Sequence, residues 1–193
     1  EGGTVNVAAG TYAESVMLNK RLTLDGAGDG NTAADTILDP TNLTTGLTVA
    51  ASGLDATNRV VVRDLRVRNA DVQDIFFDST VSFVTLENLT AVEAGDGILT
   101  GIGLRLSSPS ISDLRLSNLE LRNNLNAMRV GEQTSVNGLL IEDSTFADNV
   151  FGMTVYASNL VTDNETDFTN VTIEDSVFSN NTQKGLYFEK INN

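Results

Sequence analysis

The stretch Val60-Val61-Val62-Arg63-Asp64-Leu65-Arg66-Val67 decides the architecture, because its pattern comes back further along the chain. It recurs as Val84-Thr85-Leu86-Glu87-Asn88-Leu89-Thr90-Ala91, as Leu114-Arg115-Leu116-Ser117-Asn118-Leu119-Glu120-Leu121, as Leu139-Leu140-Ile141-Glu142-Asp143-Ser144-Thr145-Phe146 and as Val171-Thr172-Ile173-Glu174-Asp175-Ser176-Val177-Phe178. Apolar residues alternate with others, an Asp or Asn interrupts, and the alternation resumes: a strand, a polar bend and a second strand. Units repeating every few tens of residues, about 20–50, cannot bury an apolar face alone and must stack on their neighbours.

Stacking in register predicts three apolar columns. They are Val60, Val84, Leu114, Leu139, Val171; then Val62, Leu86, Leu116, Ile141, Ile173; then Val67, Ala91, Leu121, Phe146, Phe178. A later strand of each repeat predicts a further wall through Ile75 and Phe77, Ile98 and Thr100, Met128 and Val130, Met153 and Val155, Leu186 and Phe188. Successive strands of one wall come from successive repeats and run the same way, so the expectation is an all-β, single-stranded parallel β-helix. The stretch Ser158 to Asn170 reads as a loop leaving this solenoid.

The chain of 193 residues is long enough for one domain, and no shift in composition divides residues 1–193. No run of about 20 apolar residues predicts a membrane span, so membrane insertion is not expected. A net charge of −14 speaks against nucleic acid as a partner, since phosphate contacts need clustered Lys and Arg. The absence of Cys and His removes disulfides, thiolate and imidazole metal sites, and Ser-His-Asp chemistry within these residues. Any chemistry would run on carboxylates, Arg, Lys or Tyr.

The opening, Thr4-Val5-Asn6-Val7-Ala8-Ala9-Gly10-Thr11-Tyr12-Ala13-Glu14-Ser15-Val16 followed by Leu22-Thr23-Leu24-Asp25-Gly26-Ala27-Gly28 and Thr36-Ile37-Leu38, resembles the first coils of the pectin-lyase-like right-handed parallel β-helix group, including pectin methylesterases and bacterial surface proteins. That resemblance implies a right-handed winding. It does not imply one activity, because the group carries lyases, hydrolases, esterases, epimerases and adhesins alike. Asp74-Ile75-Phe76-Phe77 is similar to a catalytic strand of the methylesterases, but Asp78 follows where they have Gly and their other motifs are missing. The polygalacturonase and epimerase patterns need a His. A calcium-dependent lyase, working with Arg and ion-binding carboxylates, is the enzymatic relative that the composition permits, with Arg129 and Glu132 the pair to nominate. The chain starts at a strand without the helix that caps the first coil in this group and stops in repeat register, which predicts a fragment of a longer repeat protein.

Two sets of candidate site residues follow. On the outward side of the later wall, Phe76, Leu99, Arg129, Thr154 and Tyr187 are expected in one row, with Arg105, Glu132, Tyr156, Glu189 and Lys190 close by. Aromatic rings beside Arg and carboxylates suit a pyranose, which offers an apolar face and a rim of hydroxyls, so Phe76, Arg129, Glu132, Tyr156 and Tyr187 are the candidate saccharide contacts. At the bend, Glu142 and Asp143 are expected one strand spacing, about 4.8 Å, from Glu174 and Asp175. Four carboxylates that close invite an oxygen-preferring cation, with calcium the candidate; no cofactor is otherwise required. The bend column Asp64, Asn88, Asn118, Asp143, Asp175, and the column Asn69, Glu93, Asn123, Asp148, Asn180 five residues on, predict polar ladders with left-handed backbone. The sequence thus points to a non-catalytic, structural or adhesive segment of a secreted or cell-surface protein, with polysaccharide as the expected partner.

Overall fold

The computed structural model describes residues 2–95, 100–131, 133–155, 166–189 and 191–192. Its strands are β1 (Thr4–Asn6), β2 (Gly10–Tyr12), β3 (Val16–Leu18), β4 (Thr23–Asp25), β5 (Thr36–Leu38), β6 (Thr45–Val49), β7 (Val60–Arg68), β8 (Gln73–Phe77), β9 (Val81–Val92), β10 (Ile102–Leu106), β11 (Ser110–Arg122), β12 (Asn126–Val130), β13 (Ser135–Glu142), β14 (Thr145–Ala147), β15 (Phe151–Val155), β16 (Thr166–Glu174), β17 (Val177–Ser179), β18 (Lys184–Phe188) and β19 (Ile191–Asn192). They form a twelve-stranded sheet following β1-β4-β7-β9-β11-β13-β16-β19, with β2, β5, β14 and β17 attached, and a seven-stranded sheet ordered β18-β15-β12-β10-β8-β6-β3. Both sheets are parallel and neighbours come from successive repeats, a solenoid-like arrangement around one apolar core. Among the described residues no helix is long and apolar enough to cross a membrane.

The apolar columns stack as the repeats predict. Val60 pairs with Val84, Val84 with Leu114, Leu114 with Leu139 and Leu139 with Val171. The column from Val62 to Ile173 and the one from Val67 to Phe178 hold the same register. In the latter, Phe146 is fully buried and its ring lies 4.6 Å from that of Phe178, nearly parallel at 10°.

Left-handed backbone at fixed places lets the chain turn. Asp64, Asn88, Asn118, Asp143 and Asp175 all have φ between 47° and 56°. Asn and Asp accept this conformation because a short polar side chain bonds locally. Here the bonds also run between repeats: Asn88 Nδ2 donates to Asp64 Oδ1 at 2.9 Å, and Asn118 Nδ2 to Asn88 Oδ1 at 2.9 Å. Five residues later Asn69, Glu93, Asn123, Asp148 and Asn180 repeat the left-handed turn, with φ from 53° to 64°.

Two expectations are corrected. The seven-stranded sheet takes Ile102–Leu106, not a strand through Ile98 and Thr100: Leu104 pairs with Ile75 and Met128, and Leu106 with Phe77 and Val130. Thr100 lies outside any strand, and Ile98 and Leu99 lie outside the described residues. Leu104 and Leu106 are fully buried, so the wall is filled by the residues that make the better core layer. The loop read from Ser158 to Asn170 also ends sooner, because Thr166–Asn170 already belongs to β16, with Phe168 opposite Val136 and packed into the core.

Candidate functional site

The seven-stranded sheet is built from a short motif whose second residue is small: Gly46, Gly103, Ala127, Gly152 and Gly185, with Asp74 the exception. A side chain there would point into the core. A Cβ on Gly152 would fall 3.0 Å from Phe178 Cδ1 and 2.3 Å from Gly185 O. The next residue faces inward too, as buried Leu47, Ile75, Leu104, Met128 and Met153 do. Two inward residues in succession break the period of two. Both the first and the fourth residue of each of the six five-residue strands therefore face out, giving two outward rows.

One row reads Thr45, Gln73, Ile102, Asn126, Phe151, Lys184, and the other Thr48, Phe76, Arg105, Arg129, Thr154, Tyr187. Arg105 thus holds the place assigned above to Leu99, directly between Phe76 and Arg129. Its guanidinium carbon sits 5.5 Å from the centre of the Phe76 ring and its Nη1 donates to Gln73 Oε1 at 3.2 Å. Its Nε is buried without a partner. Burial, and then the neighbouring Arg129 charge, hold the Arg105 pKa below its ordinary value.

Arg129 and Tyr187 come together with Asn126, Phe151 and Thr154 around an open depression of about 320 Å³. Phe151 stacks on Tyr187 at 6.4 Å, the Lys184 ammonium lies 3.8 Å from the Tyr187 ring centre, and the Tyr187 hydroxyl donates to Glu189 Oε2 at 2.8 Å. Thr154 Oγ1 donates to Asn126 Oδ1 at 2.9 Å. Phe76 is two strands away from Arg129 on the same face. Glu132 and Tyr156 lie outside the described residues.

The charge pattern of this face is unlike the rest of the chain. The chain has 26 Asp and Glu, yet the seven strands carry one carboxylate, Asp74, and it points inward and is fully buried. Arg105, Arg129 and Lys184 stand on these strands, and Glu189, which accepts from Tyr187, lies just beyond β18. On the twelve-stranded sheet three arginines stand in ion pairs: Arg63 Nη2 meets Asp25 at 2.8 Å and Arg63 Nη1 meets Glu87 at 3.4 Å, Arg68 meets Asp39 at 2.8 Å and Arg122 meets Asp148 at 2.8 Å.

At the other candidate site, Glu142 and Glu174 are in register on β13 and β16, with Asp143 and Asp175 following at the bend. Glu142 is half-buried and the other three are exposed. Among the described residues no three Asp, Glu, His or Cys side chains converge on a common point as a metal site would need.

Sequence reading missed a ladder one residue beyond the second bend column, fully buried at Asn124 and Asn149 and half-buried at Asn181. Asn124, Asn149 and Asn181 follow Asn123, Asp148 and Asn180. The Ala94 N–H donates to Asn124 Oδ1 at 3.0 Å, the Asn124 N–H to Asn149 Oδ1 at 3.0 Å, and the Asn149 N–H to Asn181 Oδ1 at 3.1 Å. The signal was the doublet itself, Asn-Asn or Asp-Asn, in consecutive repeats. No protein-family model and no curated protein sequence matches this chain.

Proposed function

We propose that the chain is a right-handed parallel β-helix segment of a secreted or surface protein. In this reading it is non-catalytic, and its seven-stranded sheet binds acidic polysaccharide. The right-handed sense rests on the sterics of parallel crossovers, which favour that hand in about 98% of cases. One observation carries the ligand class: the outward rows set Phe76, Arg105, Arg129, Phe151, Lys184 and Tyr187 on seven strands with no outward carboxylate, in a chain of net charge −14. A polyanion is repelled by most of such a molecule and attracted by this face. Aromatic edges and the Asn126 amide lining the depression suit the apolar and hydroxyl parts of a sugar, and the guanidinium fork suits its carboxylate or sulfate.

Calorimetric titration with neutral and with acidic polysaccharides tests the reading. Acidic chains are expected to bind, more weakly as salt is added, and the Arg105→Ala, Arg129→Ala double variant is expected to lose that binding while keeping its fold. Equal binding of acidic chains by the native and double-variant proteins, or no preference of the native protein for acidic over neutral chains, would refute it. The lyase alternative is tested in the same samples: formation of unsaturated uronate products that stops in Arg129→Ala would make this an enzyme.

A further inference from the structure

Asp74 sits where the other five-residue strands of its sheet have Gly or Ala, and it is the one carboxylate buried in that sheet. Room for it exists because its neighbours in the two adjacent strands are Gly46 and Gly103, which have no side chain. Its Oδ1 accepts the Ala70 N–H at 3.2 Å, and its Oδ2 is buried with no partner.

The asparagine ladder explains why an acid is there. In each later repeat the N–H at this bend is accepted by the Asn of the following repeat: Ala94 by Asn124, Asn124 by Asn149, Asn149 by Asn181. Ala70 would need an Asn at position 94, and the residue is Ala94. A buried backbone N–H without an acceptor is costly. Asp74 reaches across from its own repeat and fills the gap.

We propose that Asp74 is a neutral carboxylic acid standing in for the missing ladder asparagine, and that its ionisation releases the bend at Ala70 together with β8, making this repeat the pH-sensitive element of the fold. An isolated carboxylate in the core, holding one hydrogen bond, is disfavoured far more than the neutral acid. Among the described residues no cation acts on it. Asp39 and Glu93 are the charges that act on it, and both are acidic. Despite its own partial desolvation, Asp39 is held ionised by hydrogen bonds from Asn69, Thr41 and Arg68. Burial first, and then Glu93 and Asp39, drive the Asp74 pKa well above the carboxylate range against the single bond from Ala70.

The sign follows from proton counting. An unfolded Asp loses its proton near pH ~3.9. Between there and the higher value of the folded state the native chain holds one more proton than the opened one, so stability falls as pH rises through that window and levels off above it. Because β8 carries Gln73 and Phe76 on the outward face, opening also disturbs the place where Arg105 rests.

Amide hydrogen exchange at Ala70, corrected for the intrinsic effect of pH on exchange, reads the release. In the native chain the opening constant is expected to rise about tenfold per pH unit within the window. Asp74→Asn keeps an acceptor and cannot ionise, so its Ala70 opening should be independent of pH. Asp74→Ala should also be independent of pH but poorly protected throughout. A native chain with no pH dependence, or an Asp74→Asn variant with the native slope, overturns the proposal. Should neither variant fold, NMR titration of the native Asp74 carboxyl carbon decides: a midpoint in the ordinary Asp range overturns the proposal, and a midpoint well above it supports it.

Discussion

Replacing Asn149 by Ala isolates the buried ladder from the exposed bend beside it. Asn149 is fully buried. Its Oδ1 takes the Asn124 N–H at 3.0 Å, and its Nδ2 donates to Leu121 O at 3.0 Å, to Ala147 O at 2.8 Å and to Asn181 Oδ1 at 3.1 Å. Truncation leaves the Asn124 N–H without an acceptor, at about 1–3 kcal/mol, and removes donors from carbonyls that retain other lone pairs, at about 0.5–1.5 kcal/mol each. With the Leu121 and Ala147 carbonyls counted, the expected loss is about 2–6 kcal/mol on these terms. Asp148, the adjacent residue, is exposed and has φ of 59°. Asp148→Ala gives up tolerance of the left-handed region and a solvent-screened contact with Arg122 at 2.8 Å, for about 1–2 kcal/mol.

Urea denaturation followed by circular dichroism measures both variants, and exchange at the Asn124 amide gives a local reading if the repeats do not unfold as one unit. The expected order is Asn149→Ala well below Asp148→Ala, with Asn124 protection lost only in the former. If Asn149→Ala stays within about 1 kcal/mol of the native chain, the ladder does not hold the repeats together and the argument for Asp74 as its substitute loses its premise.

Two further substitutions probe the core and the turns. Phe146→Ala removes a fully buried ring stacked on Phe178 and should cost about 3–5 kcal/mol, whereas an effect near 0.5 kcal/mol would mean that the register is displaced by one residue. Phe83 occupies a left-handed position, φ 54°, at which the following repeats have Asp113, Gly138 and Asn170. Phe83→Asn should therefore stabilise by about 0.5–1 kcal/mol, read as a higher urea midpoint at constant slope, and a lower midpoint would show that ring contacts outweigh the backbone cost.

The first-wall register was legible because an uninterrupted alternation leaves no second way to place Val60, Val62 and their counterparts inward. The later wall was harder for a physical reason. Gly152 and Met153 both face the core, so parity counted from Met153 places Thr154 outward but gives no sign that Phe151 is outward as well. The same break in parity hid Arg105, because Ile98-Leu99-Thr100 offers an equally good alternation, and only the recurring small residue in Thr45-Gly46-Leu47, Ile102-Gly103-Leu104 and Phe151-Gly152-Met153 distinguishes the true strand. Phe76, Arg129 and Tyr187 were found because they lie in the row that parity does predict. The buried asparagines escaped notice beside exposed Asn and Asp of the same composition, since burial of one member of a doublet leaves no mark in composition.

The two sheets use their outward positions differently although they share one core. Along the twelve-stranded sheet, register places Asp25, Arg63 and Glu87 side by side, so charge is spent within the surface and Arg63 is held by its own neighbours. Along the seven-stranded sheet the same stacking places Phe76, Arg105, Arg129, Thr154 and Tyr187 in a row, and Arg105 and Lys184 rest on rings instead of carboxylates. A cation over an aromatic face keeps its charge available to an incoming anion, whereas one in an ion pair must first give up its partner. The inward residues that fix the register, Leu104, Met128 and Met153 among them, do not depend on which of these arrangements lies outside. In the proposed reading, ligand preference on this wall is set by outward residues that core packing does not dictate. A single inward exception, Asp74, couples that wall to the core beneath it.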